Sequence, residues 1–584
     1  MKKITVAFAI IMIMLIMGCR NIPGEQQPSQ VTQESSNPPA QPFETPDEQP
    51  VGQDLTAEPT LHSEEIETVE SPAPSTTTEP LQDEASPIED TSPSDDGIAD
   101  SSSAAGTNDA AVAIPAPALF PGSSWEYRTV YEGGLIPEES NVLQELPGAT
   151  VYHLVLDISD PTLAEGKMEA RYINQEEEAI DELFLHMFPT HLGGDMKVAD
   201  LLINGQTAPF EISNGMLRID LEKPLDPGQA IVLSLSFTTF VPGEETTKYG
   251  VLAFKDNILA LAHFYPMFAV YDDQGWHTEL TADHGDETFA DMSFFLVQVI
   301  APEDQVLVTS GIEVNRESND GQQSLTYAAG PVRDFYLVAS DDFEVVQEQV
   351  GEVLLSSYAP SGLLEGAQIA LDVTADSLRS FSNRFGPYPY SELDIVTTPT
   401  DALGIEYPGI YANALRIYDL AGSAAGGISN AGLIESVSAH ETAHQWFYNV
   451  VGNDQLNEPW LDEATAQYAT WLYFIDRYGE QNAQGFYNSL EGRWGRIEFA
   501  EIPIGLPADA YTGLEYSAIV YGRGPIFLNE LAELMGQETF DQFLRDFTDT
   551  YSWQIAYGED FMKLAEKHCN CDLSDLFAEE VFGN

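Results

Sequence analysis

Two histidines and two glutamates in the second half of the chain have the types and spacing of a metal site. His440-Glu441-Thr442-Ala443-His444 is an H-E-x-x-H pentad, and Glu463 follows the second histidine by 19 residues. On a helix, side chains four residues apart lie on one face, so His440 and His444 can bind one metal ion together. Two imidazoles and a carboxylate suit a catalytic Zn²⁺ ion, which takes three protein ligands and leaves a position for water. The pattern therefore predicts one Zn²⁺ ion held by His440, His444 and Glu463.

Glu441 lies one step around the same helix, close to the metal without being forced to bind it. Zn²⁺ lowers the pKa of a bound water from about 16 to about 7, which supplies hydroxide at neutral pH. A carboxylate beside that water can take its proton and return it to a leaving amine. A chance pentad on an ordinary helix is the alternative, and the second carboxylate at the expected distance argues against it.

The elements that must position these residues follow from the periodicity of the chain. Apolar residues flank the pentad at helical spacing, and a second helical pattern runs over residues 363–385 and ends at Gly386-Pro387. Residues 117–347 instead show short apolar strands, with Asn204-Gly205 and Asn214-Gly215 as hairpin turns. We therefore predict a multidomain chain, with an antiparallel β saddle or sandwich over residues 117–347 and a mainly α catalytic domain over residues 348–584.

The N-terminal residues predict export. Two lysines precede an apolar run of about 14 residues that ends in Gly18-Cys19, which is short for a membrane span. The run resembles a bacterial lipoprotein signal over residues 1–18, after which Cys19 would carry lipid. A plain cleaved signal with an incidental cysteine is the alternative. We expect an exported lipoprotein anchored to the outer face of a membrane.

Residues 19–116 predict a tether. They are rich in Pro, Ser and Thr and contain 20 acidic residues, with Arg20 as their single basic residue. Such a segment cannot bury enough apolar surface to fold, so we expect it to be disordered and extended. The net charge of the whole chain is −72, which excludes nucleic acid as an expected partner.

Two cysteines remain once Cys19 is assigned to lipid. Cys569 and Cys571 are separated by one residue and follow His568. We expect a local disulfide or two free thiols rather than a second metal site, because further ligands are not evident. An aromatic cluster at His263-Phe264-Tyr265-Pro266 and Trp276 is interpreted as packing at a domain junction rather than as a substrate contact.

Several motifs together resemble the M1 family of zinc aminopeptidases, gluzincins that include aminopeptidase N and leukotriene A4 hydrolase. The resemblance covers roughly residues 145–584. It rests on the pentad with Gln445-Trp446-Phe447 and on the segment from Trp460 to Ala464 that contains Glu463. Three weaker motifs follow the family's order: Phe385-Gly386-Pro387-Tyr388-Pro389-Tyr390, Gly404-Ile405-Glu406-Tyr407-Pro408 and Tyr521-Gly522-Arg523-Gly524.

The resemblance implies a thermolysin-like catalytic domain and a role for each matching position. His440, His444 and Glu463 match the zinc ligands, and Glu441 matches the general base. Tyr521 matches the tyrosine that stabilises the tetrahedral intermediate, with Tyr516 nearby as the alternative assignment. Glu406, in a loop that includes Gly404, matches the glutamate that binds the free α-amine of the substrate. The expected activity is removal of N-terminal residues from peptides outside the cell.

The chain departs from the family in ways that leave other functions open. The loop reads Leu403-Gly404-Ile405-Glu406-Tyr407 where the family has Gly-Ala-Met-Glu-Asn. The sequence also ends about 60 residues after Tyr521, without the family's large C-terminal helical domain, so we expect a more open cleft. A zinc endopeptidase on the same scaffold and a non-catalytic peptide-binding lipoprotein are the alternatives. The residue preference, physiological substrate and oligomeric state do not follow from the sequence.

Overall fold

The secondary structure changes from strands to helices along the chain. The computed structural model describes residues 114–243, 247–279, 282, 284–286, 289–423 and 428–583. The predicted signal peptide and nearly all of the predicted tether lie outside the described residues. The strands are β1 (Thr150–Asp160), β2 (Leu163–Ile173), β3 (Ile180–His186), β4 (Asp195–Ile203), β5 (Gln206–Thr207), β6 (Glu211–Ser213), β7 (Met216–Leu225), β8 (Ala230–Phe240), β9 (Leu252–Lys255), β10 (Ile258–Leu261), β11 (Met267–Phe268), β12 (Tyr271–Asp272), β13 (Gly275–Trp276), β14 (Ser293–Pro302), β15 (Val306–Thr309), β16 (Ile312–Asn319), β17 (Gln322–Val332), β18 (Leu337–Ser340), β19 (Phe343–Val350), β20 (Val353–Pro360), β21 (Glu392–Thr398), β22 (Gly404–Tyr407) and β23 (Ile410–Ala414). The α-helices are α1 (Val142–Glu145), α2 (Leu364–Phe385), α3 (Asn430–Ala443), α4 (Trp460–Tyr478), α5 (Glu480–Trp494), α6 (Gly513–Ala518), α7 (Gly524–Met535), α8 (Gln537–Tyr551), α9 (Gly558–Cys569) and α10 (Ser574–Phe577).

The first part of the chain forms a large sheet, two four-stranded sheets and a two-stranded sheet. The large sheet has eight strands in the order β16-β17-β14-β1-β2-β8-β4-β5. Its neighbours are antiparallel except for β1 and β14, which run parallel. Along β8, buried and partly exposed residues alternate, because successive side chains of a strand point to opposite faces. The predicted β-rich N-terminal part is confirmed, with one parallel pair that the hairpin signals did not indicate.

Both predicted Asn-Gly turns close two-residue hairpins. Ile203 pairs with Gln206 around Asn204-Gly205, and Ser213 pairs with Met216 around the second turn. Both residues of each turn have positive φ, 49° and 77° in the first turn. Asn and Gly tolerate this conformation with little steric cost, which is why the dipeptide selects a tight hairpin.

A five-stranded sheet leads into the helical part. Its strand order is β19-β20-β21-β23-β22. The central strand β21 runs parallel to both of its neighbours, β20 and β23. Helix α2 connects β20 to β21 and ends at Gly386, whose φ is 113°. Since the sheet begins at Phe343, the boundary predicted between residues 347 and 348 falls inside its first strand.

The helices that follow surround the pentad. Helix α3 packs against α2 and α4, and α4 packs against α7. None of the helices in the described part of the chain is long and apolar enough to cross a membrane. Near the end of the chain, Cys569 and Cys571 form a disulfide, which settles the choice that the sequence left between a local disulfide and free thiols.

Candidate metal centre and peptide site

Helix α3 carries the pentad and ends inside it. The Ser429 hydroxyl accepts a hydrogen bond from the backbone N–H of Gly432, which caps the start of the helix. The last helical residue is Ala443, and His444 is the C-cap with φ of −62°. Because this φ is still helical, His440 and His444 remain on one face although the helix ends between them.

Three donor atoms converge at this face. His440 Nε2 lies 3.1 Å from Glu463 Oε2, His444 Nε2 lies 3.2 Å from His440 Nε2, and His444 Nε2 lies 3.5 Å from Glu463 Oε2. Tetrahedral ligands at the usual Zn–N and Zn–O bond lengths are separated by about 3.3 Å. These three atoms thus form a triangle with the size of one face of a tetrahedral zinc site.

Groups outside the triangle orient two of the three donors. His444 Nδ1 donates to the carbonyl oxygen of Phe447 at 3.1 Å, so that Nε2 carries the lone pair. The Tyr521 hydroxyl donates to Glu463 Oε1, and Asp462 Oδ1 accepts from the backbone N–H of Glu463 at 2.7 Å at the start of α4. The contacts of His444 and of the Glu463 carboxylate hold these two side chains in place, as groups around metal ligands commonly do.

Glu441 is buried beside the triangle and pressed against the backbone of Gly404. Its exposed fraction is 3%, and Oε2 has no hydrogen-bond partner among the described residues. A Cβ at position 404 would lie 2.3 Å from Glu441 Oε1 and 2.6 Å from Val437 Cγ1. Strand β22 can therefore approach α3 this closely only because residue 404 is glycine.

Glu406 belongs to the same buried group of carboxylates. It lies on β22, and single ligand atoms of Glu406, Glu441 and His444 lie within 4.8 Å of one another. The side-chain amide of Gln455 donates to Glu406 Oε1 at 3.0 Å and to Asp462 Oδ2 at 2.8 Å. Gln455 therefore connects the predicted amine-binding carboxylate to Asp462, which accepts from the backbone N–H of Glu463.

Tyr521 reaches the metal centre from a single π-helical turn, Ile519–Arg523. Its hydroxyl donates a short hydrogen bond to Glu463 Oε1, and the guanidinium of Arg493 lies 5.5 Å from the centre of its ring. Tyr516, the alternative assignment, is buried with its ring 5.9 Å from that of Tyr521. Its hydroxyl has no hydrogen-bond partner in the described part of the chain. Tyr521 is thus the tyrosine that contacts a predicted zinc ligand.

The electrostatics of the site favour a cation where the donors converge. Burial opposes charge on Glu463, but the imidazoles of His440 and His444 hold its pKa well below the usual range. Burial would lower the pKa of His444, yet the nearby carboxylates of Glu406, Glu463 and Glu441 raise it well above its ordinary value. Burial also raises the pKa of Glu441 well above that of a free glutamate, and Glu406 and Glu463 add to the effect whereas His444 opposes it. A buried group with more carboxylates than imidazoles is compensated by a divalent cation.

Three residues at the site were not predicted. Asp286 and Tyr448 line one cavity together with Glu406 and Gln455, and burial followed by the charges of Glu406 and Glu463 raises the pKa of Asp286. Gln455, Asp286 and Tyr448 lie in connecting segments and carry no ligand spacing. His263, which was interpreted as packing, lines the same cavity, whereas Phe264 and Tyr265 of the same cluster are fully buried.

Residues 369–579 match the Peptidase family M1 domain. Curated relatives include Aminopeptidase M1 of Arabidopsis thaliana, 27% identical over 284 residues that cover 47% of this chain and 32% of the relative. Aminopeptidase N of Oryctolagus cuniculus is 30% identical over 208 residues, 33% of this chain and 21% of that protein. This chain thus spans about a third or less of the length of these relatives.

The fold agrees with solved structures of M1 zinc metallopeptidases. An M1 zinc metallopeptidase from Deinococcus radiodurans superimposes with a TM-score of 0.55 at 20% identity, over 72% of this chain and 89% of that protein. The strand-rich first part followed by a mainly helical part therefore has the fold of that structure. The resemblance that the motifs predicted is confirmed by the match of residues 369–579 to the Peptidase family M1 domain.

Proposed function

We propose that this protein is a zinc-dependent aminopeptidase that removes N-terminal residues from peptides. The observation that carries the proposal is the convergence of His440, His444 and Glu463 on one point, with the carboxylates of Glu441 and Glu406 beside it. Relatives over about half of this chain are named aminopeptidases. A mutant of the Deinococcus enzyme has been crystallised with the substrate Tyr-Ser-Ala, which supports a peptide as substrate.

Each residue has a distinct role in this proposal. His440, His444 and Glu463 would hold one Zn²⁺ ion, which when bound activates a water molecule and polarises a peptide carbonyl. Glu441 accepts the proton of that water and delivers it to the departing amine; general acid–base assistance of this kind contributes roughly 10²–10⁴-fold. Burial raises the pKa of Glu441, which makes its carboxylate a stronger proton acceptor than that of an exposed glutamate.

The remaining two residues act on the substrate. The hydroxyl of Tyr521, which donates to Glu463 Oε1 in the structure, would turn from that partner to donate a hydrogen bond to the oxygen that becomes negative during the attack on the carbonyl. Glu406 offers a carboxylate to a protonated N-terminus, and Gln455 holds that carboxylate in place. Since the carboxylate lies within 4.8 Å of His444, it would place the first peptide bond, rather than an internal one, at the metal.

The experiment that tests this function compares a peptide with its N-acetylated form. The full-length, zinc-loaded protein is incubated with each form, and products are followed by mass spectrometry with a chelator control. We expect a ladder of sequentially shortened products from the free peptide only, abolished by the chelator. Glu406→Gln should raise KM for the free peptide by at least about tenfold, since one charge-assisted hydrogen bond is lost. Internal cuts in both forms would contradict the aminopeptidase assignment and indicate an endopeptidase.

We also propose that the protein acts outside the cell as a lipoprotein. The support is the sequence of residues 1–19, with a basic start, an apolar run and Cys19 at the position that would receive lipid. Cys19→Ala should move the protein from the membrane fraction to a soluble or unprocessed form, measured by fractionation of producing cells. A wild-type protein without lipid on Cys19, determined by mass spectrometry, would contradict the proposal.

A further inference from the structure

Tyr448 has a backbone conformation that residues with a Cβ avoid. Its φ is 113°, whereas the other described non-glycine residues with positive φ lie between 46° and 66°. Values in the narrower range belong to the left-handed helical region, which Asn and Asp tolerate well. A tyrosine at 113° is strained and persists only where its surroundings hold it, as commonly found at binding sites.

Two consecutive residues that follow β17 hold Tyr448 at both ends. Arg333 Nε donates to the carbonyl oxygen of Tyr448 at 2.7 Å. The Tyr448 hydroxyl donates to Asp334 Oδ2 at 2.9 Å. Both partners are buried, with exposed fractions of 2% for Arg333 and 1% for Asp334. The ring of Tyr448 is thereby fixed in position by a segment 115 residues earlier in the chain.

Arg333 is itself anchored on the surrounding main chain. Its guanidinium also donates to the carbonyl oxygens of Asn449 at 3.0 Å, Ala290 at 2.8 Å and Gln554 at 2.7 Å. A side chain with this many fixed acceptors has little freedom to rotate. Movement of Tyr448 would therefore break its buried hydrogen bonds to Arg333 and Asp334, and its ring acts as a rigid wall.

The fixed ring borders the cavity that contains the predicted amine-binding carboxylate. Tyr448 lines this cavity with Glu406 and Tyr407 from β22, and with Tyr249 and Val251 from the β-rich part. Asp334 contacts the hydroxyl at the far end of the ring, and its Oδ1 is buried without a hydrogen-bond partner in the described chain. Since Tyr448 lines the cavity and Asp334 does not, removal of the ring would extend the cavity towards Asp334.

We propose that Tyr448 is a specificity-determining residue that limits the size of the N-terminal side chain accepted beside Glu406. This inference rests on the proposed aminopeptidase function, in which Glu406 binds the N-terminal amine. The side chain on the same carbon as that amine must then enter the adjoining cavity. A wall that cannot move admits small N-terminal residues and rejects large ones.

The test uses variants that remove the ring without adding strain. Glycine adopts a φ of 113° freely, so Tyr448→Gly should keep the loop and lose the wall. Tyr448→Asn is the second variant, because it removes the ring and has a Cβ at this φ as the tyrosine does. The full-length, zinc-loaded proteins are assayed on alanine, leucine and phenylalanine p-nitroanilides. We expect the ratio of kcat/KM for the phenylalanine substrate to kcat/KM for the alanine substrate to rise at least about tenfold in both variants. A change of this size is usual when an apolar pocket distinguishes substrates by the size of an apolar side chain.

Tyr448→Phe is the matched control. It keeps the ring and the bond from Arg333 and loses only the hydroxyl contact to Asp334, so the same ratio should change less than about threefold. A wild-type ratio in Tyr448→Gly or Tyr448→Asn, measured on variants that still cleave the alanine substrate, would overturn the proposal.

A binding measurement separates this proposal from the proposed function. If wild type hydrolyses none of the substrates, the aminopeptidase assignment fails, and isothermal calorimetry with alaninamide and phenylalaninamide still tests the cavity. A gain in affinity of at least about tenfold for phenylalaninamide alone in Tyr448→Gly would support the wall. Equal effects on both amides would overturn it.

Discussion

At the residue scale, Tyr521 has a contact that Tyr516 lacks. The Tyr521 hydroxyl donates to Glu463, whereas the buried Tyr516 hydroxyl has no hydrogen-bond partner among the described residues. Tyr521→Phe should reduce kcat about 10²–10³-fold, the usual loss for one oxyanion donor, with bound zinc unchanged. Tyr516→Phe should reduce kcat less than about threefold. Steady-state kinetics and metal analysis of both variants measure these effects. A larger loss of kcat in Tyr516→Phe than in Tyr521→Phe would show that Tyr516 is the catalytic tyrosine.

The close contact between Gly404 and Glu441 predicts that a side chain at position 404 would disturb the Glu441 carboxylate. An added Cβ would lie 2.3 Å from Glu441 Oε1, so Gly404→Ala must displace either the carboxylate or β22. We expect kcat to fall at least about tenfold, because small misplacements of a catalytic group are costly. Zinc binding should persist, since the three ligands lie away from this contact. A Gly404→Ala variant with wild-type kcat would show that the proposed position of Glu441 is not required.

Asp334 gives a prediction about pH. Burial raises its pKa to about 7, with the Tyr448 hydroxyl and Arg333 opposing the shift and Glu406 adding to it. The unfolded chain releases this proton near 3.8, so between those pH values the folded protein binds more protons. The contribution of Asp334 to stability is therefore present at low pH and is lost as pH rises through about 7.

Asp334→Asn tests this dependence because asparagine keeps the acceptor for Tyr448 and has no proton to lose. The nearby His263 stays neutral over this range, since burial lowers its pKa to about 3. The free energy of unfolding of the variant relative to wild type should increase as the pH is raised from about 5 to about 8. Urea denaturation at several pH values measures the difference, and a constant difference would contradict the account.

At the element scale, Arg333 joins the strand-rich part to the loop after α3. It donates to carbonyl oxygens at residues 290, 448, 449 and 554, all at 3.0 Å or less. Arg333→Leu leaves these buried acceptors without a partner, each at a cost of about 1–3 kcal/mol when relaxation does not restore one. We expect a loss of about 3–5 kcal/mol in the free energy of unfolding, measured by urea denaturation.

Arg379 is the matched control for this prediction. Its guanidinium pairs with Glu348 and Asp376, but 49% of the side chain is exposed. Exposed ion pairs contribute at most about 1 kcal/mol, so Arg379→Leu should change stability by no more than that. Similar losses in the free energy of unfolding of both variants would show that the buried hydrogen bonds of Arg333 stabilise the protein no more than an exposed ion pair does.

The elements differ in how far the sequence predicts them. The Asn-Gly turns and the end of α2 at Gly386 are local signals, and the structure confirms them because their conformations are set by two or three adjacent residues. The pentad is also a local signal, because residues four apart on a helix lie on the same face. Contacts of Tyr448, Gln455 and Asp286 join segments far apart in the sequence, and periodicity carries no information about such pairs.

At the scale of the whole molecule, the strand-rich and helical parts form the site together. The cavity beside Glu406 has walls from both, Tyr249 and Val251 on one side and Tyr407 and Tyr448 on the other. Both regions must therefore fold before the cavity beside Glu406 exists, which the proposed binding of a peptide requires. The net charge of −72 suits attraction of a cation and of protonated peptide N-termini, and long-range attraction of this kind weakens with salt.

The most direct test of the central claim is a zinc titration of the chelator-stripped, full-length protein, in which hydrolysis of a free peptide and bound zinc are measured together. We expect activity to return in proportion to bound zinc and to saturate at about one ion per chain. Glu441→Gln should bind the same zinc and lose about 10²–10⁴-fold in kcat. Full activity after complete removal of the metal, or near-normal turnover in zinc-loaded Glu441→Gln, would contradict the account.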